Sequence, residues 1–189
     1  MRRALLLLPI CLAACERPGS GDTPAEVTGR IGEFAARHCG VELSPSIDAG
    51  YLRAADISKD GRPDYVVDFA ALDCGGQAPA PCDSESGCPR EVWVSDGREM
   101  YKLAFGMDAR AFEVNADATP PTISATLAGA ACPAPAAPAR GAALLNPATG
   151  ARVDAEAACV LTFVFDPIRL EFVDAERGLR AAPADDRLD

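Results

Sequence analysis

Between Asp56 and Asp64 the chain reads Asp-Ile-Ser-Lys-Asp-Gly-Arg-Pro-Asp. Side-chain oxygens stand at Asp56, Ser58, Asp60 and Asp64, and the Arg62 carbonyl can turn inward between the last two. Gly61 lets the backbone turn sharply. Oxygen donors at alternate positions of a tight loop suit a hard cation with about six to eight oxygen ligands, and Ca²⁺ is the ion expected. Its role would be structural, because a bound cation offsets the mutual repulsion of three carboxylates. The same residues also make a polar turn closed by aspartate side chains, which needs no ion.

These nine residues resemble the opening of an EF-hand loop. The twelfth position is Val67 rather than glutamate, however, and a strand-like run follows instead of a helix. The closer resemblance is to the calcium loop of FG-GAP and VCBS-type repeats, where D-x-N-x-D-G-x-x-D runs into a strand. That resemblance implies Asp56, Ser58, Asp60 and Asp64 as ligands, with Ser58 standing where those loops carry asparagine or aspartate. A single copy is present, so a propeller built from repeats is not implied.

Cysteine is the second residue type with chemistry to offer. The chain has eight. Cys11 falls within an N-terminal leader, and Cys15 stands at its end. Six remain: Cys39, Cys74, Cys82, Cys88, Cys132 and Cys159. An even number in an exported chain reads as three disulfides, for which about fifteen connectivities exist. Loop lengths favour one of them. Cys82 and Cys88 flank a short loop, and Cys132 and Cys159 bracket the turn at Asn146–Gly150. Cys39 is then left for Cys74. Zinc is disfavoured, because no paired C-x-x-C units occur and the chain has one histidine.

The leader itself reads MRRALLLLPICLAAC. Arg2 and Arg3 precede an apolar stretch, Ala4 to Ala14, that is shorter than the about 20 residues a bilayer span needs. Residues 1–14 are therefore expected to be a signal peptide. Leu12-Ala13-Ala14-Cys15 resembles a bacterial lipobox, which implies cleavage before Cys15 and acylation of its thiol. Residues 15–22, rich in Gly, Pro and Ser, would be a flexible tether. Glu16 stands where aspartate commonly retains lipoproteins at the inner membrane. The expected location is therefore the periplasmic face of the outer membrane.

The elements that must position these groups follow from periodicity. Thr23 can cap a helix begun by Pro24, with Glu26 completing a capping box. Val27, Ile31, Phe34 and Ala35 recur at helical spacing, and Gly40 ends the run. His38, in the last turn, is placed where the helix dipole favours a cation. Beyond the helix the pattern is β. Tyr65–Phe69, Val92–Val94, Tyr101–Phe105, Thr122–Leu127, Leu161–Phe165 and Ile168–Phe172 read as strand-like runs, and Ala142–Leu145 and Arg152–Val153 flank the turn signal at Asn146–Gly150. The expected fold is α+β, mostly β: an N-terminal helix packed on an antiparallel meander of six or seven strands, stapled by disulfides. It would occupy residues 23–177 as a single domain. The Ala/Pro-rich stretch 129–140 reads as a loop, and 178–189 as a disordered tail.

Charge and missing motifs narrow the function. The formal net charge is −10, and removing Arg2 and Arg3 with the leader takes it to −12. Such a balance argues against nucleic acid and against lying flat on an anionic lipid surface, and admits a basic protein partner. No G-x-S-x-G, Walker A, dinucleotide fingerprint or H-E-x-x-H is present. The first reading is a lipid-anchored envelope protein that binds or supports rather than catalyses. An inhibitor of a basic envelope-attacking enzyme such as lysozyme is the alternative, and a hydrolase using carboxylates is a third. The elements D-G-R-P-D-Y-V-V-D, a cysteine soon after, and Gly-Cys before Val-Trp-Val also resemble small exported proteins of Gram-negative bacteria.

Overall fold

Among the described residues of the computed structural model, one α-helix and two four-stranded sheets form three layers. The structure describes residues 23–40, 42–43, 47, 49–76, 82, 87–128, 132, 144–145, 152–153 and 158–176. The expected signal peptide (1–14), Cys15 with the expected tether, most of the expected 129–140 loop, the expected turn at 146–150 and the expected tail at 178–189 lie outside the described residues.

The first sheet is a meander of β1 (Leu52–Ala55), β2 (Asp64–Asp68), β3 (Cys88–Ser95) and β4 (Tyr101–Ala109), each antiparallel to the next. Arg110 then turns the chain into a second sheet. There β5 (Ala111–Asn115), β6 (Thr122–Ala128), β9 (Ala158–Asp166) and β10 (Glu171–Asp174) lie in the order β10-β9-β6-β5, also antiparallel. A short pair, β7 (Leu144–Leu145) and β8 (Arg152–Val153), is inserted between β6 and β9. The expected single meander is thus two sheets. The fold there depends on Gly87, whose φ is +95°, because an added Cβ would lie 2.5 Å from the Ala109 carbonyl carbon.

Alternation explains the layering, since neighbouring residues of a strand face opposite sides. Val66, Val92, Val94 and Phe105 of the first sheet meet Ile123, Ala125, Leu127, Phe163, Phe165 and Phe172 of the second. The intervening positions of the first sheet, among them Tyr65 and Val67, face the other way. They pack with Val27, Ile31, Phe34 and Ala35 of α1 (Ala25–Cys39). The first sheet is therefore covered on both faces. That is why Tyr65, Val66 and Val67 of β2 are consecutively buried.

Several local expectations need correcting. Pro24, not Thr23, occupies the N-cap of α1, and no side-chain cap hydrogen bond forms. With Pro24 extended (ψ 149°), Glu26 falls at the second helical position and misses the third position a capping box requires. Gly40 does end the helix, left-handed at φ 66°. The strand expected from Ile168 begins only at Glu171; residues 167–170 form a turn, with Leu170 at φ 53°. Two strands carried too weak a pattern to be expected, β1 and β5. The presence of β1 moves the aspartate loop: it joins β1 to β2, with Ala55 paired to Asp64 across its base.

Candidate functional site

The Asp56–Asp64 loop is organised around its last residue. Asp64 opens β2 and is wholly buried, whereas Asp56 and Asp60 are exposed. One Asp64 carboxylate oxygen, Oδ2, accepts from the backbone N–H groups of Ile57 at 2.7 Å and Ser58 at 2.6 Å. The other, Oδ1, accepts from the Ser95 N–H at 2.8 Å and the Ser58 hydroxyl at 3.3 Å. The side chain therefore ties the start of its own loop to the end of β3. Tyr101 at the start of β4 adds a third tie, its hydroxyl donating to the Pro63 carbonyl at 3.0 Å.

The rest of the loop is a chain of turns. Asp60 Oδ1 accepts from the Arg62 N–H at 2.8 Å, and Lys59 and Gly61 take positive φ of 62° and 82°. Ile57 is the loop's apolar anchor, fully buried in the core between the sheets. Burial raises the Asp64 carboxyl above the ordinary carboxylate value, outweighing the hydrogen bonds that lower it. Burial also pushes the Tyr101 phenol up to about 12, helped by Tyr65, Asp64 and Asp60 nearby.

For an ion the arrangement has a definite consequence. The Asp64 oxygens already serve four donors, so a cation taking Asp64 as ligand must take over their role. Among the described residues no three His, Cys, Asp or Glu side chains are gathered as a metal-holding group. Asp56, Ser58, Asp60 and Asp64 share one hairpin loop, and the structure joins Ser58 to Asp64 directly.

A second polar cluster, which the sequence reading missed, sits under the helix. Glu91 of β3 is fully buried, and both its oxygens are used. Arg30 of α1 reaches Oε1 through Nε at 2.8 Å and Nη2 at 2.8 Å. Trp93 Nε1 donates to Oε2 at 3.0 Å. The Arg30 guanidinium also lies over the Phe69 ring, 5.9 Å from its centre. The available signal was a glutamate directly before the apolar run Val92-Trp93-Val94. Its buried charge required a cation, and Arg30 is the one the helix supplies. On the opposite face of β3, buried Arg90 pairs with Asp68 across the ladder.

All six cysteines expected to pair do so, as Cys39–Cys74, Cys82–Cys88 and Cys132–Cys159. The first ties the end of α1 to the segment after β2. His38 stands beside it in the last turn of α1. Burial, then Arg37 and Arg30, lower its pKa. Its ring packs on Phe34 at 4.6 Å.

These clusters position backbone; none places a nucleophile beside a base. Glu91 is saturated by structural partners, Asp64 by donors, and the described cysteines by one another. No family model, no curated protein and no solved structure matches the chain.

Proposed function

We propose that the chain is a non-enzymatic module of the bacterial cell envelope. Residues 1–14 export it, a lipid on Cys15 holds it at the periplasmic face of the outer membrane, and residues 15–22 tether the domain. In this reading the helix on its β-sheets is a rigid body stapled for life outside the cytoplasm, and it binds or supports a partner. The observation that carries it is the pairing of every remaining cysteine into three disulfides. Such pairing is suited to an oxidising compartment and rare in a reducing one. The saturation of the buried carboxylates supports a structural over a catalytic role.

Calcium belongs to this proposal as a structural ion. Asp56, Ser58, Asp60, the Arg62 carbonyl and Asp64 would hold it, as the oxygen spacing suggests. Because Asp64 is already served by donors, the binding expected is weak, in the about 10⁻⁴–10⁻³ M range of extracellular calcium modules.

The test of anchoring is Cys15→Ser in a Gram-negative host. The native chain is expected in the membrane fraction, and the variant as an unprocessed or released protein. Equal membrane association of both, with identical mature termini, would overturn the proposal.

A further inference from the structure

The direction of the strands places four connections at one end of the sandwich. These are the β1–β2 loop (56–63), the β3–β4 loop (96–100), the β5–β6 loop (116–121) and the β9–β10 turn (167–170). Two of them present bare apolar side chains: Ile168 is 92% exposed and Met100 is 62% exposed. They sit at neighbouring corners. β4 and β10 pack against each other across the sandwich, and Lys102 Nζ donates to the Arg169 carbonyl at 2.7 Å.

The helix delivers the N-terminus to the same end. Its C-terminal residue, Cys39, is bonded to Cys74, beyond the far end of β2. Phe34 packs at a tilt against Phe69, just after β2, at 4.1 Å between ring centres. Arg30 reaches Glu91, which is paired with Val67, one position short of that far end. Moving from Cys39 to Arg30 thus climbs toward the loops, and Ala25 lies further in that direction. From Ala25 back to Cys15 is ten residues, which span at most about 36 Å.

We propose that this loop end rests on the lipid bilayer, with Ile168 and Met100 entering its interface. The inference depends on Cys15 being acylated and goes beyond it, since an anchor alone leaves the domain free to take any orientation. The overall negative charge does not oppose the contact locally. Residues 56–63, 96–102, 116–121 and 166–170 carry six acidic and five basic side chains. Two apolar side chains bind a bilayer weakly from solution. The short tether of residues 15–22 keeps them at high effective concentration, so a weak contact suffices to orient the domain.

The test uses the mature, lipidated full chain in vesicles of phosphatidylethanolamine and phosphatidylglycerol. Ile168→Cys, Met100→Cys and, as the far-end control, Glu176→Cys are each labelled with an environment-sensitive dye without reduction. Labels at 168 and 100 should shift to the blue and be quenched severalfold more than the label at 176 by spin-labelled lipid. Equal, water-like emission at all three sites on protein that floats with the vesicles overturns the orientation and leaves the anchor standing. Protein that does not float overturns both.

Discussion

At the residue scale, one carboxylate does most of the organising. Asp64 accepts four hydrogen bonds and offers none, so an isosteric amide cannot replace it. In Asp64→Asn the NH₂ must face buried backbone N–H groups, which costs about 1–3 kcal/mol per unsatisfied donor. Relief from burying a charge offsets part of this, and a net loss of about 1–3 kcal/mol is expected in urea unfolding. Asp60→Ala is expected to behave differently, because Asp60 is exposed and serves only its own turn. The native chain should gain about 1.4 kcal/mol at calcium tenfold above Kd, by mass action on the folded state. Asp60→Ala should keep the fold and lose that gain. Melting curves with calcium and with chelator check this, and a native chain indifferent to millimolar calcium assigns the loop to Asp64 alone. His38 supplies a pH dependence of known sign. Its folded-state pKa is lowered from 6.5, first by burial and then by Arg37 and Arg30. Its contribution to stability is therefore complete above 6.5 and lost as pH falls through the lowered value. Asp64 acts oppositely: with its pKa raised above 3.8, stability rises as pH falls through that raised value. Between about pH 7.5 and about pH 5.5, the range in which a histidine titrates, the native chain should lose more stability than His38→Gln. Parallel urea midpoints for the two would contradict this.

At the element scale, α1 is held to the first sheet by an apolar stripe, one ion pair and one disulfide. Glu91→Ala leaves Arg30 and the Trp93 N–H without their shared acceptor. Breaking a buried pair costs about 3–5 kcal/mol. The lower end, about 3 kcal/mol, is expected because the Arg30 side chain keeps 19% exposure. Thermal unfolding measures it, and a loss below about 1 kcal/mol, the exposed-pair range, would show that the clamp is only a surface contact. Cys39→Ala with Cys74→Ala removes a crosslink across 35 residues of sequence. About 2–4 kcal/mol of stability should go with it. The expected readout is faster hydrogen exchange in α1 than in β6 and β9. Uniform exchange across both would mean that the helix needs no staple. The stripe itself was legible from Val27, Ile31, Phe34 and Ala35 at helical spacing, and the strongest strands from Tyr65–Val67 and Leu161–Phe165. β1 was not, because Leu-Arg-Ala-Ala has one committed apolar residue and its pairing is supplied by β2. The Arg30–Glu91 clamp was equally hidden: its partners are 61 residues apart, and nothing local joins them. Asp64 was picked out by its spacing in the loop, but its partner Ser95, 31 residues on, is a backbone donor that no side-chain pattern announces.

At the scale of the whole molecule, the three disulfides and the double coverage of the first sheet fit the proposal of a body that works outside the cytoplasm. The cysteine pairing was legible because loop lengths favour near neighbours and leave one long-range pair. The division of the meander into two sheets was not. It rests on the single residue Arg110 between β4 and β5, whose N–H bonds the Thr126 carbonyl at 2.8 Å. On the proposed function, this stapled body hangs from a lipid on Cys15. The most direct measurement is the intact mass of the native chain purified from membranes without reduction. The expected species is a chain beginning at Cys15, heavier by its acyl groups and lighter by two hydrogens for each of three disulfides. A mature chain beginning elsewhere and carrying no lipid would contradict it.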